Sequence, residues 1–89
     1  IVDTLASDTF AAQQQVILYP NPTSSSIYLE MPTQIVQSYS VWNVNACILF
    51  SKAITNLKTT IELDNLASGA YIIQLNTSHD SFFRKIIKL

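Results

Sequence analysis

The sequence predicts an all-β antiparallel sandwich, and three observations support this prediction. Short segments that alternate apolar and polar residues recur about every 8–12 residues, with turn residues between them. After residue 15, no segment carries the apolar stripe of an amphipathic helix. The 89-residue chain is 48% hydrophobic and only 12% charged, a composition that excludes a disordered segment.

The first two strands are predicted on either side of a proline-rich turn. Strand-prone residues 16–19 are followed by Pro-Asn-Pro at residues 20–22. Each proline fixes its own φ and moves the preceding residue out of the helical region. Ile27, Leu29 and Met31 then alternate with more polar residues, which predicts a half-buried strand.

The third and fourth strands are predicted over residues 37–44 and 48–54, with a hairpin turn between them. Asn43 and Asn45 mark this turn because asparagine tolerates a positive φ. Cys47 follows the turn and precedes an apolar run, so we expect a buried, inert thiol. As the only cysteine, it forms no internal disulfide.

The fifth and sixth strands are predicted over residues 59–63 and 70–75. Ile61 and Leu63 alternate with polar residues and are expected to face inward. Gly69, the only glycine of the chain, lies in the turn between the two strands. We expect a positive φ or a close approach at this position.

The seventh strand, predicted over residues 82–89, carries three of the five positive charges: Arg84, Lys85 and Lys88. Alternation along the strand is expected to let one face pack while the other stays exposed and charged. Charges on an edge strand protect a sheet from aggregation. A charged terminal strand can instead be recognised by another protein. The sequence leaves both interpretations open.

Seven strands at this spacing predict an immunoglobulin-like sandwich over residues 16–89, without the paired cysteines of antibody domains. Residues 1–15 are small and polar, which indicates a linker or upstream tail. A short helix in their Ala-Gln stretch, anchored by Phe10, is the alternative.

No catalytic site, metal site or cofactor site is predicted. Ser78, His79 and Asp80 are neighbours in one polar loop and cannot converge on one substrate atom as a triad does. One histidine and one cysteine do not make a zinc site. A net charge of −1 argues against nucleic-acid binding, and no apolar run is long enough to span a membrane.

Several aromatic residues are compatible either with a sugar-stacking platform or with core and cross-strand packing, and packing is favoured. They are Tyr19, Tyr28, Tyr39, Trp42 and Tyr71.

Three segments resemble the type A C-terminal sorting domains of the type IX (Por) secretion system of Bacteroidota. Residues 18–23 resemble the family's YPNP opening, and residues 66–73 resemble its L-x-x-G-x-Y turn and strand. Residues 83–88 resemble its basic, aliphatic final strand. Order and spacing match over about residues 16–89. The signal residues that the resemblance indicates are Tyr19, Pro20, Asn21, Pro22, Gly69, Tyr71, Arg84, Lys85, Ile86, Ile87 and Lys88.

Two turns depart from the family pattern. Residues 43–47 lack the glycine that the family usually has after its third strand, and residues 78–80 replace a glycine of the last hairpin. These departures leave open how tight the two turns are and do not affect the resemblance to the family.

The resemblance implies a non-catalytic secretion signal that directs a cargo protein across the outer membrane. It implies that the cargo passes through the periplasm to the cell surface or the medium. A surface sortase is then expected to remove the domain, by a cut within residues 1–15 or just upstream, and to attach the cargo to lipopolysaccharide. The implied partners are the outer-membrane translocon and the sortase and attachment complex. Separately from the resemblance, edge strands allow weak self-association. The alternative function is a structural or carbohydrate-binding module.

Overall fold

The structure is a computed structural model that describes residues 15–89. The prediction of a linker or short helix at residues 1–15 therefore lies outside the described residues, apart from Gln15. The described chain forms seven strands: β1 (Ile17–Tyr19), β2 (Ser26–Glu30), β3 (Ser38–Asn43), β4 (Ile48–Ala53), β5 (Lys58–Glu62), β6 (Gly69–Asn76) and β7 (Ser81–Lys88).

The strands form two antiparallel sheets, one in the order β1-β2-β5 and the other in the order β4-β3-β6-β7. The all-β sandwich predicted from the sequence is confirmed. The fourth strand pairs with the third, whereas in constant-type immunoglobulin domains it joins the sheet of the first, second and fifth strands. Because β7 is an end strand of its sheet, it has one edge that no other strand covers.

The core lies between the sheets and is built from alternate residues of the strands. Residues Ile27 and Leu29 of β2 and Ile73 and Leu75 of β6 are fully buried. The expected inward residues Met31, Ile61 and Leu63 are buried as well. Alternation of apolar residues was therefore sufficient to identify the faces of these strands.

The β3–β4 hairpin uses its asparagines differently from the prediction. Ala46, rather than an asparagine, has the positive φ, at 64°. The Asn43 side-chain oxygen instead accepts hydrogen bonds from the backbone N–H groups of Asn45 and Cys47, at 2.9 and 3.0 Å. The turn is thus closed without glycine. The prediction of a buried Cys47 is wrong: the residue is exposed because it still belongs to this turn.

The last hairpin is also closed without glycine. The backbone N–H of Thr77 donates to the Asp80 carbonyl at 2.8 Å, and the Thr77 hydroxyl accepts from the Asp80 N–H at 3.0 Å. A threonine side chain therefore supplies the bond that stabilises this turn. Both turns that lack the family's glycine are therefore closed by side-chain hydrogen bonds.

Candidate functional site

The segment after β1 lies along the outer edge of β7, near the end of the chain. The backbone N–H of Thr23 donates to the Ile87 carbonyl at 2.9 Å, and the Leu89 N–H donates to the Thr23 carbonyl at 2.8 Å. These bonds form a short parallel bridge between Thr23 and Lys88. Thr23 is 2% exposed, so this contact is an integral part of the domain.

Asn21 extends the same pairing with its side chain. Its Nδ2 donates to the Lys85 carbonyl at 3.0 Å, and its Oδ1 accepts from the Ile87 N–H, also at 3.0 Å. A side-chain amide offers the same donor and acceptor as a backbone peptide group, so it can replace one residue of a neighbouring strand. Asn21 and Thr23 together are called the β7 clamp below.

Prolines flank Asn21 on both sides. Both Tyr19–Pro20 and Asn21–Pro22 peptide bonds are cis. Neither proline has a backbone N–H, so the donors that this segment directs at β7 are the Asn21 side chain and the Thr23 N–H. The Pro-Asn-Pro signal was visible in the sequence, but the partner of Asn21 was not.

The Gly69 and Tyr71 pair forms a corner at the start of β6. Gly69 has φ of 150°, and a Cβ added there would meet no atom within 4 Å. Backbone conformation, rather than lack of space, therefore favours glycine here. Tyr71 is 8% exposed, and its hydroxyl donates to the Ala67 carbonyl at 2.6 Å. This is the tyrosine corner found at the same place in immunoglobulin-like sandwiches.

Lys88 joins this corner to the terminal strand. Its ammonium group donates to the Leu66 carbonyl at 3.1 Å. Lys88 also pairs with Gly69 across the sheet and bridges to Thr23 on its other side. All three sequence segments that carry the family resemblance therefore meet at the end of β7.

The basic residues of β7 do not share one exposed face. Arg84 lies on the same side of the strand as the buried Phe82, with its guanidinium 5.3 Å from the Phe82 ring centroid. Lys88 has the same parity and is half-buried. Lys85 alone of the three is exposed, on the opposite face with Phe83. One face therefore packs and the other is exposed, as expected, but the exposed face carries only one of the three charges, because residues 84 and 88 differ in parity from residue 85.

The tyrosines separate into core residues and a surface pair. Tyr39 and Tyr71 are buried. Tyr19 and Tyr28 meet on the outer face of the three-stranded sheet, with ring centroids 5.6 Å apart and ring planes at 43°. The Tyr19 hydroxyl donates to the Glu30 carboxylate. Such tilted, hydrogen-bonded rings are typical of cross-strand packing.

Within residues 15–89, no group of three histidine, cysteine, aspartate or glutamate residues is placed to hold a metal ion. No helix in the described chain is both long and apolar enough to cross a membrane. His79 lies exposed in the β6–β7 loop. The features that stand out in the described residues are the clamp, the corner and the outer face of β7.

A family model described as a secretion system C-terminal sorting domain matches residues 17–89. The match begins at the first residue of β1 and covers all seven strands. No curated protein sequence matches the chain.

Proposed function

The chain belongs to the family of secretion system C-terminal sorting domains, and we propose that it is a non-catalytic signal that directs an attached cargo protein across the outer membrane through the type IX secretion system. The observation that carries this proposal is the family match over all seven strands. Convergence of the three sequence segments at the end of β7 supports it further.

The signal that we propose is a folded surface rather than a linear peptide. Asn21 and Ile87 are 66 residues apart in the chain and meet only in the folded domain. The clamp and the tyrosine corner hold β7 in place from two sides. The export machinery then recognises the exposed residues of β7, above all Lys85.

We place removal of the domain by a surface sortase upstream of the sandwich. Val16 is 4% exposed and packs in the core, so a cut on its C-terminal side would remove a core side chain from the domain. A cut within residues 1–15 would leave all seven strands intact. In this scheme the cargo passes through the periplasm and is attached to lipopolysaccharide by the sortase and attachment complex.

A carbohydrate-binding module has less support. The Tyr19 and Tyr28 rings are tilted rather than coplanar, and the Tyr19 hydroxyl is engaged by Glu30. The Lys58 ammonium lies 5.6 Å from the Tyr28 ring centroid, so that ring already has a cationic neighbour.

The test is a secreted reporter with this chain fused at its C-terminus, produced in a bacterium with a type IX system and in a mutant without the translocon. We expect surface reporter only in the first strain and periplasmic reporter in the second. The mass of the surface reporter locates any cleavage. Surface display that does not depend on the translocon would contradict the proposal.

A further inference from the structure

A groove lies on the outer face of the four-stranded sheet, beside the terminal strand. Its volume is about 530 Å³, and Trp42, Val44, Ile72 and Phe83 supply most of its apolar lining. Phe83 is 58% exposed and Val44 is 70% exposed. An exposed apolar patch of this kind usually marks an interaction site. These four residues define the β7 groove.

The whole outer face of this sheet is nearly free of charge. Residues paired across antiparallel strands share a face, so the register identifies the outward positions. Lys85 is the one charged residue among them. The others are Ser38, Ser40, Trp42, Ile48, Ser51, Ala53, Ala70, Ile72, Gln74, Asn76, Ser81, Phe83 and Ile87. A partner that covers this face therefore meets apolar and neutral groups and a single positive charge.

The edge of β7 next to the groove is open. Asn21 of the clamp donates a hydrogen bond to the Lys85 carbonyl and accepts one from the Ile87 N–H. Phe83 lies two residues before Lys85 on the same strand, so its N–H and C=O also point away from β6. Within the described chain no segment pairs with the backbone of Phe83, whereas the Ser81 N–H bonds the Asp80 side chain. A short length of edge thus remains available between the clamp and the last hairpin.

We propose that this open edge and the β7 groove bind an extended segment of the export machinery. The segment pairs with the backbone of Phe83, places an apolar side chain in the groove and sets a carboxylate against Lys85. Addition of a strand to an exposed edge, with specificity from side-chain pockets, is an established mode of peptide recognition. This inference rests on the proposed function and specifies the surface that the export machinery recognises.

A second copy of this chain fits the edge poorly. If two β7 strands paired antiparallel about Phe83, Ser81 of each copy would lie opposite Lys85 of the other. The Lys85 carbonyl is already bonded to Asn21 and the Ser81 N–H to Asp80, so neither is available for this pairing. A segment from another protein can approach from the Ser81 side and avoid the clamp.

The test uses the reporter fusion with two exposed apolar residues replaced in turn. Phe83→Ser removes the groove side chain at the open edge. Ile17→Ser is the matched control, because Ile17 is 56% exposed on a strand of the other sheet. Truncation of an interface anchor typically weakens binding about tenfold or more. We therefore expect a drop of that size in surface display for Phe83→Ser and none for Ile17→Ser, with both melting temperatures close to the parent's.

Charge reversal provides the second arm. Lys85→Glu is expected to reduce display, whereas Lys52→Glu, an exposed lysine on the opposite edge strand, is expected to leave it unchanged. Equal display for Phe83→Ser, Lys85→Glu and the parent would overturn this inference. It would leave the sorting function intact, because that function fails only if the unmodified fusion is not displayed.

Two further measurements examine other occupants of the groove. Trp42 is the only tryptophan, so its fluorescence reports on the groove. A change in that fluorescence on removal of residues 1–14 would mean that the chain's own upstream segment fills the groove. A dimer that Phe83→Ser converts to a monomer would mean that a second copy fills it. Either result would overturn the proposal, and an unchanged spectrum with a monomeric parent supports it.

Discussion

The Asn21 side-chain oxygen accepts a hydrogen bond of 3.0 Å from the backbone N–H of Ile87, 66 residues further along the chain. The same side chain donates to the Lys85 carbonyl. The turn that opens the sandwich therefore holds the strand that ends it. Loss of either segment removes partners from the other, which makes the two a single structural unit.

Replacement of Asn21 by alanine is expected to loosen the terminal strand without unfolding the domain. Two hydrogen bonds are lost, at about 0.5–1.5 kcal/mol each. Because Asn21 is exposed, water can partly replace them, so we expect about 1–2 kcal/mol of destabilisation in urea unfolding. Amide exchange at Ile87 should accelerate.

The matched control is Asn65→Ala, which changes an exposed asparagine in the turn before β6. It should leave exchange at Ile87 unchanged. If both variants showed the same exchange at Ile87 as the parent, Asn21 would not hold the strand.

Ala46→Gly is expected to stabilise the domain. Ala46 has a φ of 64°, a left-handed conformation that costs a residue with a Cβ about 1 kcal/mol or more. Glycine removes that cost, although it adds entropy to the unfolded chain. We expect a net gain of up to about 1 kcal/mol in thermal or urea unfolding.

Ala53→Gly is the control for this substitution, because Ala53 is an exposed residue at the end of β4 without a positive φ. It should destabilise by about 0.5–1 kcal/mol. Changes of the same sign at both positions would mean that the φ of Ala46 does not determine the effect.

Gly69→Ala is expected to destabilise the domain by about 1–3 kcal/mol, because the φ of 150° lies in a region that is nearly exclusive to glycine. The added Cβ meets no atom within 4 Å, so this loss arises from backbone strain rather than from a steric clash. Ser68→Ala, at the adjacent exposed position, should stay within about 0.5 kcal/mol. Equal melting temperatures for the parent and Gly69→Ala would refute the argument.

Stability is expected to fall at alkaline pH through Tyr39. Burial, and secondarily the Glu62 carboxylate, raises the pKa of Tyr39 above its usual 10.0. As the pH rises past about 10, the unfolded chain releases this proton while the folded domain retains it. The stabilisation is therefore complete below that pH and is lost as the pH rises toward the folded-state pKa.

The measurement is the melting temperature between about pH 8 and pH 11. Tyr39→Phe should show a shallower decline than the parent, and Tyr28→Phe, at an exposed site, should follow the parent. A parallel decline for Tyr39→Phe and the parent would show that Tyr39 does not contribute.

Local patterns were sufficient to predict the seven strands, because Ile27, Leu29, Ile61 and Leu63 alternate with polar residues and are buried. The need for glycine at residue 69 was also predicted locally, from its position in a turn. The partners of Asn21 were not predictable, because a contact over 66 residues leaves no mark in local periodicity.

Two other features were not predicted, for different reasons. Ala46 occupies a left-handed position because the Asn43 side chain closes the turn around it, and alanine gives no signal for such a conformation. The separation of Arg84 and Lys88 from Lys85 was accessible from strand parity alone. Treating the three as one basic cluster concealed it.

The central claim, that this domain is a folded export signal completed by its last strand, is tested most directly by the surface amount of a periplasmically targeted reporter in a type IX bacterium. The reporter is compared alone, with the whole chain fused, and with the chain lacking residues 86–89. We predict surface display only with the whole chain and periplasmic accumulation of the other two. Equal surface display with and without the domain would contradict the claim.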